Sequence, residues 1–141
     1  HWNANSRGVL SGITRDTSPK EIVRAIIEAV AYQTYDLFEA MKHDGLRPKI
    51  VKVDGGMVMN NWFSQFLSDI VNVKVLRPKV QETTALGAAF MAGLYIGVYK
   101  SLKDISKNWQ LDKKFSSKMK NSSRNVLIDG WEKAVKRALI N

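Results

Sequence analysis

The amino-acid sequence predicts an α/β domain in which helices pack against a sheet of parallel strands. Three observations predict it. Short β-branched runs alternate with longer segments whose apolar residues recur at helical spacing. The order runs strand, helix, strand, helix, strand, helix, which calls for parallel strands joined by right-handed crossovers. The 141 residues, 45% of them hydrophobic, are enough to bury the core of one domain.

The run Gly8-Val9-Leu10-Ser11-Gly12-Ile13-Thr14 is apolar and bracketed by glycines, and reads as the first strand. Arg15-Asp16-Thr17 is a turn. Ser18-Pro19-Lys20-Glu21 then signals a helix start: Ser18 can cap, Pro19 suits the first helical position, and Glu21 can complete a capping box. Val23, Ile26, Ile27, Val30, Thr34, Leu37 and Met41 continue at helical spacing, and Gly45 supplies the stop, so a long helix is predicted over 19–43.

Lys49 to Asp54 is a strand by its β-branched content, ending abruptly in Gly55-Gly56. Trp62, Phe66 and Ile70 form one helical row, with Phe63 and Leu67 beside it. Val73 to Arg77 reads as a third strand stopped by Pro78. Thr84 to Gly93 begins another helix, whose small residues allow a neighbouring backbone to come close. Residues 100–128 are polar and read as irregular. A last amphipathic helix spans Trp131 to Ile140, with Trp131, Val135 and Leu139 on one row. There is no internal repeat.

The absence of cysteine excludes disulfides and thiolate metal sites, and agrees with a reducing cytoplasm. His1 to Asn5 has neither the basic start nor the apolar stretch of a signal peptide. The longest apolar run, Ala85 to Tyr99, is too short for a bilayer, so a soluble protein is expected. The chain begins at His1, and its first dozen residues read like the middle of a longer sequence.

The formal charge of +9 is uneven: residues 1–99 carry 11 basic and 9 acidic groups, residues 100–141 carry 11 and 4. A basic tail can mark contact with nucleic acid or a membrane surface. These lysines are scattered among Ser, Asp and Asn with no aromatic platform or arginine stripe, as on a solvated face. No nucleic-acid partner is expected.

In a parallel α/β sheet, ligands sit beyond the carboxyl ends of strands. The segment from Val51 to Asn61 occupies such a position. Gly55 and Gly56 remove two successive Cβ atoms, so a flat ligand or a phosphate can approach the main chain. Asn60 or Asn61 can cap the next helix or turn an amide toward a ligand. A plain tight turn explains the same glycines. The sequence holds neither GxxxxGK[ST] nor GxGxxG. His1 and His43 have no partner at metal-ligand spacing, so no metal site is expected. Asp54 could act as acid, base or Mg²⁺ ligand, or fix the turn. Glu28, amid apolar residues, reads as a hydrogen-bonded structural carboxylate before a catalytic one.

Several stretches together resemble the FGGY carbohydrate kinases. Gly8-Val9-Leu10-Ser11-Gly12-Ile13, followed after a gap of seven by Glu21-Ile22-Val23-Arg24-Ala25-Ile26-Ile27-Glu28, is similar to that family's second signature. Glu28-Ala29-Val30-Ala31-Tyr32-Gln33-Thr34, Val53-Asp54-Gly55-Gly56 and Thr83-Thr84-Ala85-Leu86-Gly87-Ala88-Ala89 point to its glycerol-phosphorylating branch, as does Gly130-Trp131 onward. Trp2-Asn3 departs from the family's Trp-Asp, which puts the role of that acid in doubt.

The resemblance implies an incomplete actin-like (ribonuclease H-like) ATPase domain. Residues 1–141 are then the C-terminal, nucleotide-side domain, truncated at its N-terminus, and 100–141 a basic C-terminal extension ending in a helix. It implies an adenine nucleotide held at Gly55, Gly56 and Asn60. The implied reaction transfers the γ-phosphoryl group of Mg²⁺-bound ATP to glycerol. The family's general base and glycerol-binding residues belong to a preceding domain, so no catalytic residue is assigned here and this chain alone is expected to be inactive. A homo-oligomeric intact enzyme in the cytoplasm is also implied. The alternatives are a kinase of the same family acting on a pentulose or gluconate, and a basic nucleic-acid-binding module.

Overall fold

The computed structural model describes residues 5–139. His1, Trp2-Asn3 and Ile140, on which readings above depend, lie outside the described residues.

The long helix α1 spans Pro19–His43 and is capped as its sequence demands. Ser18 Oγ accepts the Lys20 amide at 3.2 Å, and the Glu21 carboxylate accepts the Ser18 amide at 2.8 Å. Asp44 closes the helix, and Gly45, at φ 84°, turns the chain away while its amide bonds to the Lys42 carbonyl. Strand β1 follows at Ile50–Lys52, then a 3₁₀ turn over Gly56–Met59 and helix α2 over Asn61–Val71. Strand β2 is Lys74–Pro78 and helix α3 Thr83–Tyr95. A short helix α4 (Leu102–Ser106), strand β3 (Leu111–Phe115) and helix α5 (Asn121–Leu139) complete the order.

The sheet runs β1-β2-β3. β1 and β2 are parallel, Val51 facing Val75, as the alternating pattern requires. β2 and β3 are antiparallel, Val75 facing Phe115, which corrects the expectation of an all-parallel sheet. β3 also corrects the reading of 100–128 as irregular. Only Phe115 of its five residues is buried, so the strand carries no apolar alternation to announce it.

Two further corrections have local causes. Residues 6–14 form no strand. Among the described residues nothing pairs with them, Leu10 and Ile13 are about 60% exposed, and Gly12 at φ 85° bends the run. The last helix starts at Asn121 rather than at Trp131. Its inward row is Arg124, Leu127, Ile128 and Trp131, and a buried arginine hides the first turn of that pattern.

Helix α2 is the centre of the fold. Eight of its eleven residues are buried, and it meets α1, β2, β3 and α5. Ser64 and Ser68 are fully buried because each hydroxyl has a carbonyl to bond, Val58 at 2.9 Å and Val73 at 2.7 Å. At Gly93 of α3 the close neighbour is a side chain rather than the backbone expected: an added Cβ would stand 2.9 Å from the Tyr99 ring.

Candidate functional site

The glycine turn lies at the carboxyl end of β1, where the sequence places it. The Val53 amide bonds to the Leu76 carbonyl at 3.1 Å and extends the β1–β2 ladder one residue beyond β1. The chain then leaves the sheet at Gly55, whose φ of 87° and ψ of 172° form a conformation essentially confined to glycine. Its amide bonds to the Gln81 carbonyl at 3.3 Å, so the turn leans on the segment leading into α3. Gly56 opens the 3₁₀ turn, and a Cβ added to either glycine meets nothing within 4 Å. The outer side of the turn is open space: Gly56, Met57, Met59 and Asn60 are all exposed.

Asn60 caps α2. Its Oδ1 accepts the amides of Trp62 at 2.9 Å and Phe63 at 3.2 Å, which fixes the side chain at the edge of the turn. Asn61, the alternative cap, is the first residue inside the helix. The Asp54 carboxylate accepts the hydroxyl of Thr83, which joins the tip of β1 to the start of α3. This contact supports the turn-fixing reading of Asp54. Glu28 is likewise held by partners, accepting Arg24 Nε at 2.5 Å and the Tyr32 hydroxyl at 3.2 Å. His43 stays at the exposed end of α1 near Asp44.

The sequence reading missed what holds the turn from behind. Arg77 on β2 is 6% exposed. Its Nη1 donates to the Val58 carbonyl at 2.8 Å and the Met59 carbonyl at 3.2 Å, and its Nε to Asp112 at 2.7 Å. Asp69 is a second missed anchor. Its Oδ1 accepts the amides of Lys118 and Met119 and so ties the link between β3 and α5 to α2. Both are charged residues in apolar stretches, and that misfit is the one available sequence signal.

A groove of about 570 Å³ runs between α1 and α5 and is lined by Asp36, Glu39, Trp131 and Lys136. None of its lining residues belongs to the glycine turn, whose outer side is exposed. No helix among the described residues is long and apolar enough to cross a membrane.

Residues 1–95 match the model of the FGGY family of carbohydrate kinases, C-terminal domain. This chain belongs to that family. Across 97% of its length this FGGY chain is 52% identical to glycerol kinase 1 of Pseudomonas aeruginosa, and across 99% it is 49% identical to glycerol kinase of Gluconobacter oxydans. It spans about 28% of the length of the first and 27% of the second. Its fold resembles the Plasmodium falciparum glycerol kinase solved with ADP, with TM-score 0.83 and 37% identity over 99% of this chain and 28% of that one. The gluconate kinase of Lactobacillus acidophilus is more distant, at TM-score 0.67 and 27% identity over 92% of this chain and 26% of that one. These likenesses put the FGGY domain in the actin-like fold class expected from its motifs.

Proposed function

We propose that this domain is the nucleotide-holding wall of an ATP-dependent glycerol kinase. The observation that carries the reading is the likeness to an ADP-bound glycerol kinase over 99% of the chain. The form of the turn supports it. An adenine nucleotide lies against the main chain at Gly55 and Gly56, where no side chain intervenes, and the amide of Asn60 turns its Nδ2 toward the ligand. The exposed thioethers of Met57 and Met59 offer soft, polarizable surface to a flat purine.

In the whole enzyme the γ-phosphoryl group passes from ATP to a terminal hydroxyl of glycerol. Such transfer depends on aligning the two oxygens and neutralising charge, with little covalent chemistry for the protein. The turn supplies alignment of the donor. Acceptor binding and deprotonation fall to the family's preceding domain, so nucleotide affinity without turnover is expected of these 141 residues by themselves.

Mg²⁺ accompanies ATP in the reaction proposed for the whole enzyme. Among the described residues no three His, Cys, Asp or Glu side chains converge as a metal-binding group, and the Thr83 hydroxyl already engages Asp54 at the turn. No step is routed through the ion.

Calorimetric titration with ADP tests the nucleotide reading: saturable binding at one site is expected, and its absence contradicts the proposal. Glycerol as acceptor rests on relatives of about 50% identity. The gluconate and xylulose kinases with the same fold at 27% identity keep a sugar acceptor as the second reading. Comparing turnover on glycerol, a pentulose and gluconate in the enzyme that contains this domain separates the two.

A further inference from the structure

We infer that Arg77 is a positioning residue for nucleotide binding: its buried guanidinium, aimed by Asp112, sets the shape of the turn from Gly55 to Asn60. The inference rests on the nucleotide reading of that turn and adds to it the device that keeps the turn ready.

A 3₁₀ turn of four residues is not stable by itself. Its last turn closes with the bond from the Asn60 amide to the Met57 carbonyl at 3.1 Å. Its outer side faces open space, so it gains nothing from packing there. The inner side is held by the buried Val58 side chain and by polar anchoring of the main chain. The Val58 carbonyl receives two donors, Arg77 Nη1 at 2.8 Å and Ser64 Oγ at 2.9 Å. The Met59 carbonyl receives Arg77 Nη1 at 3.2 Å. The peptide units Val58–Met59 and Met59–Asn60 are thus pinned by one rigid planar group.

The aim of that group is itself built. In the β2–β3 ladder Arg77 faces Lys113, but the next pair is Pro78 with Leu111, so Asp112 is an extra residue in the register. A bulge re-aims its side chain, and here the carboxylate of Asp112 meets Arg77 Nε at 2.7 Å. The Phe115 ring lies 5.6 Å from the guanidinium carbon. A buried arginine costs stability unless its donors are satisfied, so a conformation that removes the two carbonyls from Arg77 is disfavoured. The turn and the arginine hold each other.

Lysine cannot replace this geometry. It is a point charge that cannot reach Asp112 and two carbonyls with one planar fork. We therefore expect Arg77→Lys and Asp112→Asn to loosen the turn and weaken nucleotide binding while the helices stay folded. Amide hydrogen exchange and ADP calorimetry on the full chain read both effects. The expected result is exchange about tenfold faster at Gly55 and Asn60, unchanged exchange in the middle of α1, and ADP binding about tenfold weaker.

Turn amides as protected in both variants as in the native chain would overturn the inference. So would a loosened turn with undiminished ADP affinity, in a protein whose ADP binding is lost with Gly56→Leu. Should Arg77→Lys also release the α1 amides, the protein has unfolded globally and Asp112→Asn decides, since that carboxylate is 39% exposed. If the native chain binds no ADP, the nucleotide reading fails, while the exchange data still decide whether Arg77 shapes the turn.

Discussion

Trp131 on α5 donates its indole N–H to the carboxylate of Asp36 on α1 at 2.9 Å, across 95 residues of sequence. The same indole lies flat against Tyr32, centroids 5.5 Å apart, and Tyr32 in turn meets the edge of Phe66 on α2. Three helices are joined by this row of rings, and α2 carries the capped end beside the glycine turn. The C-terminal helix is therefore part of what holds the site.

Trp131→Phe keeps a ring on Tyr32 and removes the hydrogen bond, so a loss of about 1 kcal/mol is expected. Trp131→Ala removes the ring as well and should cost about 3 kcal/mol. Urea denaturation followed by circular dichroism checks both values. Equal midpoints for the native protein and the alanine variant would show that α5 is not coupled to the core.

Asn60 has two assignable duties, and two substitutions separate them. Asn60→Ala removes the cap of α2 and should lower stability by about 1 kcal/mol while weakening ADP binding. Asn60→Asp keeps a capping oxygen but has no Nδ2 to donate. It should retain native stability and still lose ADP affinity, measured by paired denaturation and calorimetry. Native ADP affinity in Asn60→Asp would assign the residue to capping alone.

The pH dependence has two signatures of opposite sign. The hydrogen bonds from Ser18, side chain first, hold the Glu21 carboxyl below its usual range. A lowered folded value means stability present at neutral pH and lost as pH falls through that value. The stability gap between the native protein and Glu21→Gln should therefore close in acid. Burial, and next the neighbouring Glu28 carboxylate, push the Tyr32 hydroxyl well above the usual tyrosine range. The unfolded chain then releases this proton first, so stability falls as pH rises past the ordinary tyrosine value. Tyr32→Phe should flatten that alkaline fall. Denaturation midpoints taken across the pH range check both, and parallel curves for variant and native protein would refute the assignment.

What the sequence made legible was whatever rests on local rules. Ser18-Pro19-Glu21 marks the start of α1 because capping is decided within four residues, and the bounds Pro19–His43 follow from it. The turn after β1 was legible because Gly55 requires a conformation that other residues avoid. What stayed hidden is non-local. Nothing local names the partners of Arg77, Asp69 and Arg124, and only the folded chain reveals the carbonyls, amides and carboxylates that allow their burial. Strand β3 is defined by its pairing with β2 and by no pattern of its own. Residues 8–14 show the reverse: apolar content without a neighbouring strand does not make one.

The central claim is that the turn is bare so that a nucleotide can lie on its main chain. Gly55 is unsuitable for testing it, because any side chain there strains the backbone at φ 87° by about 1–3 kcal/mol. Gly56 has no such constraint, and an added Cβ meets nothing within 4 Å, so Gly56→Leu should fold with nearly native stability. Titration of Gly56→Leu with ADP by calorimetry, beside the native protein, is the direct measurement. The account predicts native thermal stability with ADP affinity lowered by at least about tenfold, the loss expected when a side chain fills the ligand's place. Unchanged ADP affinity in the folded variant would contradict it.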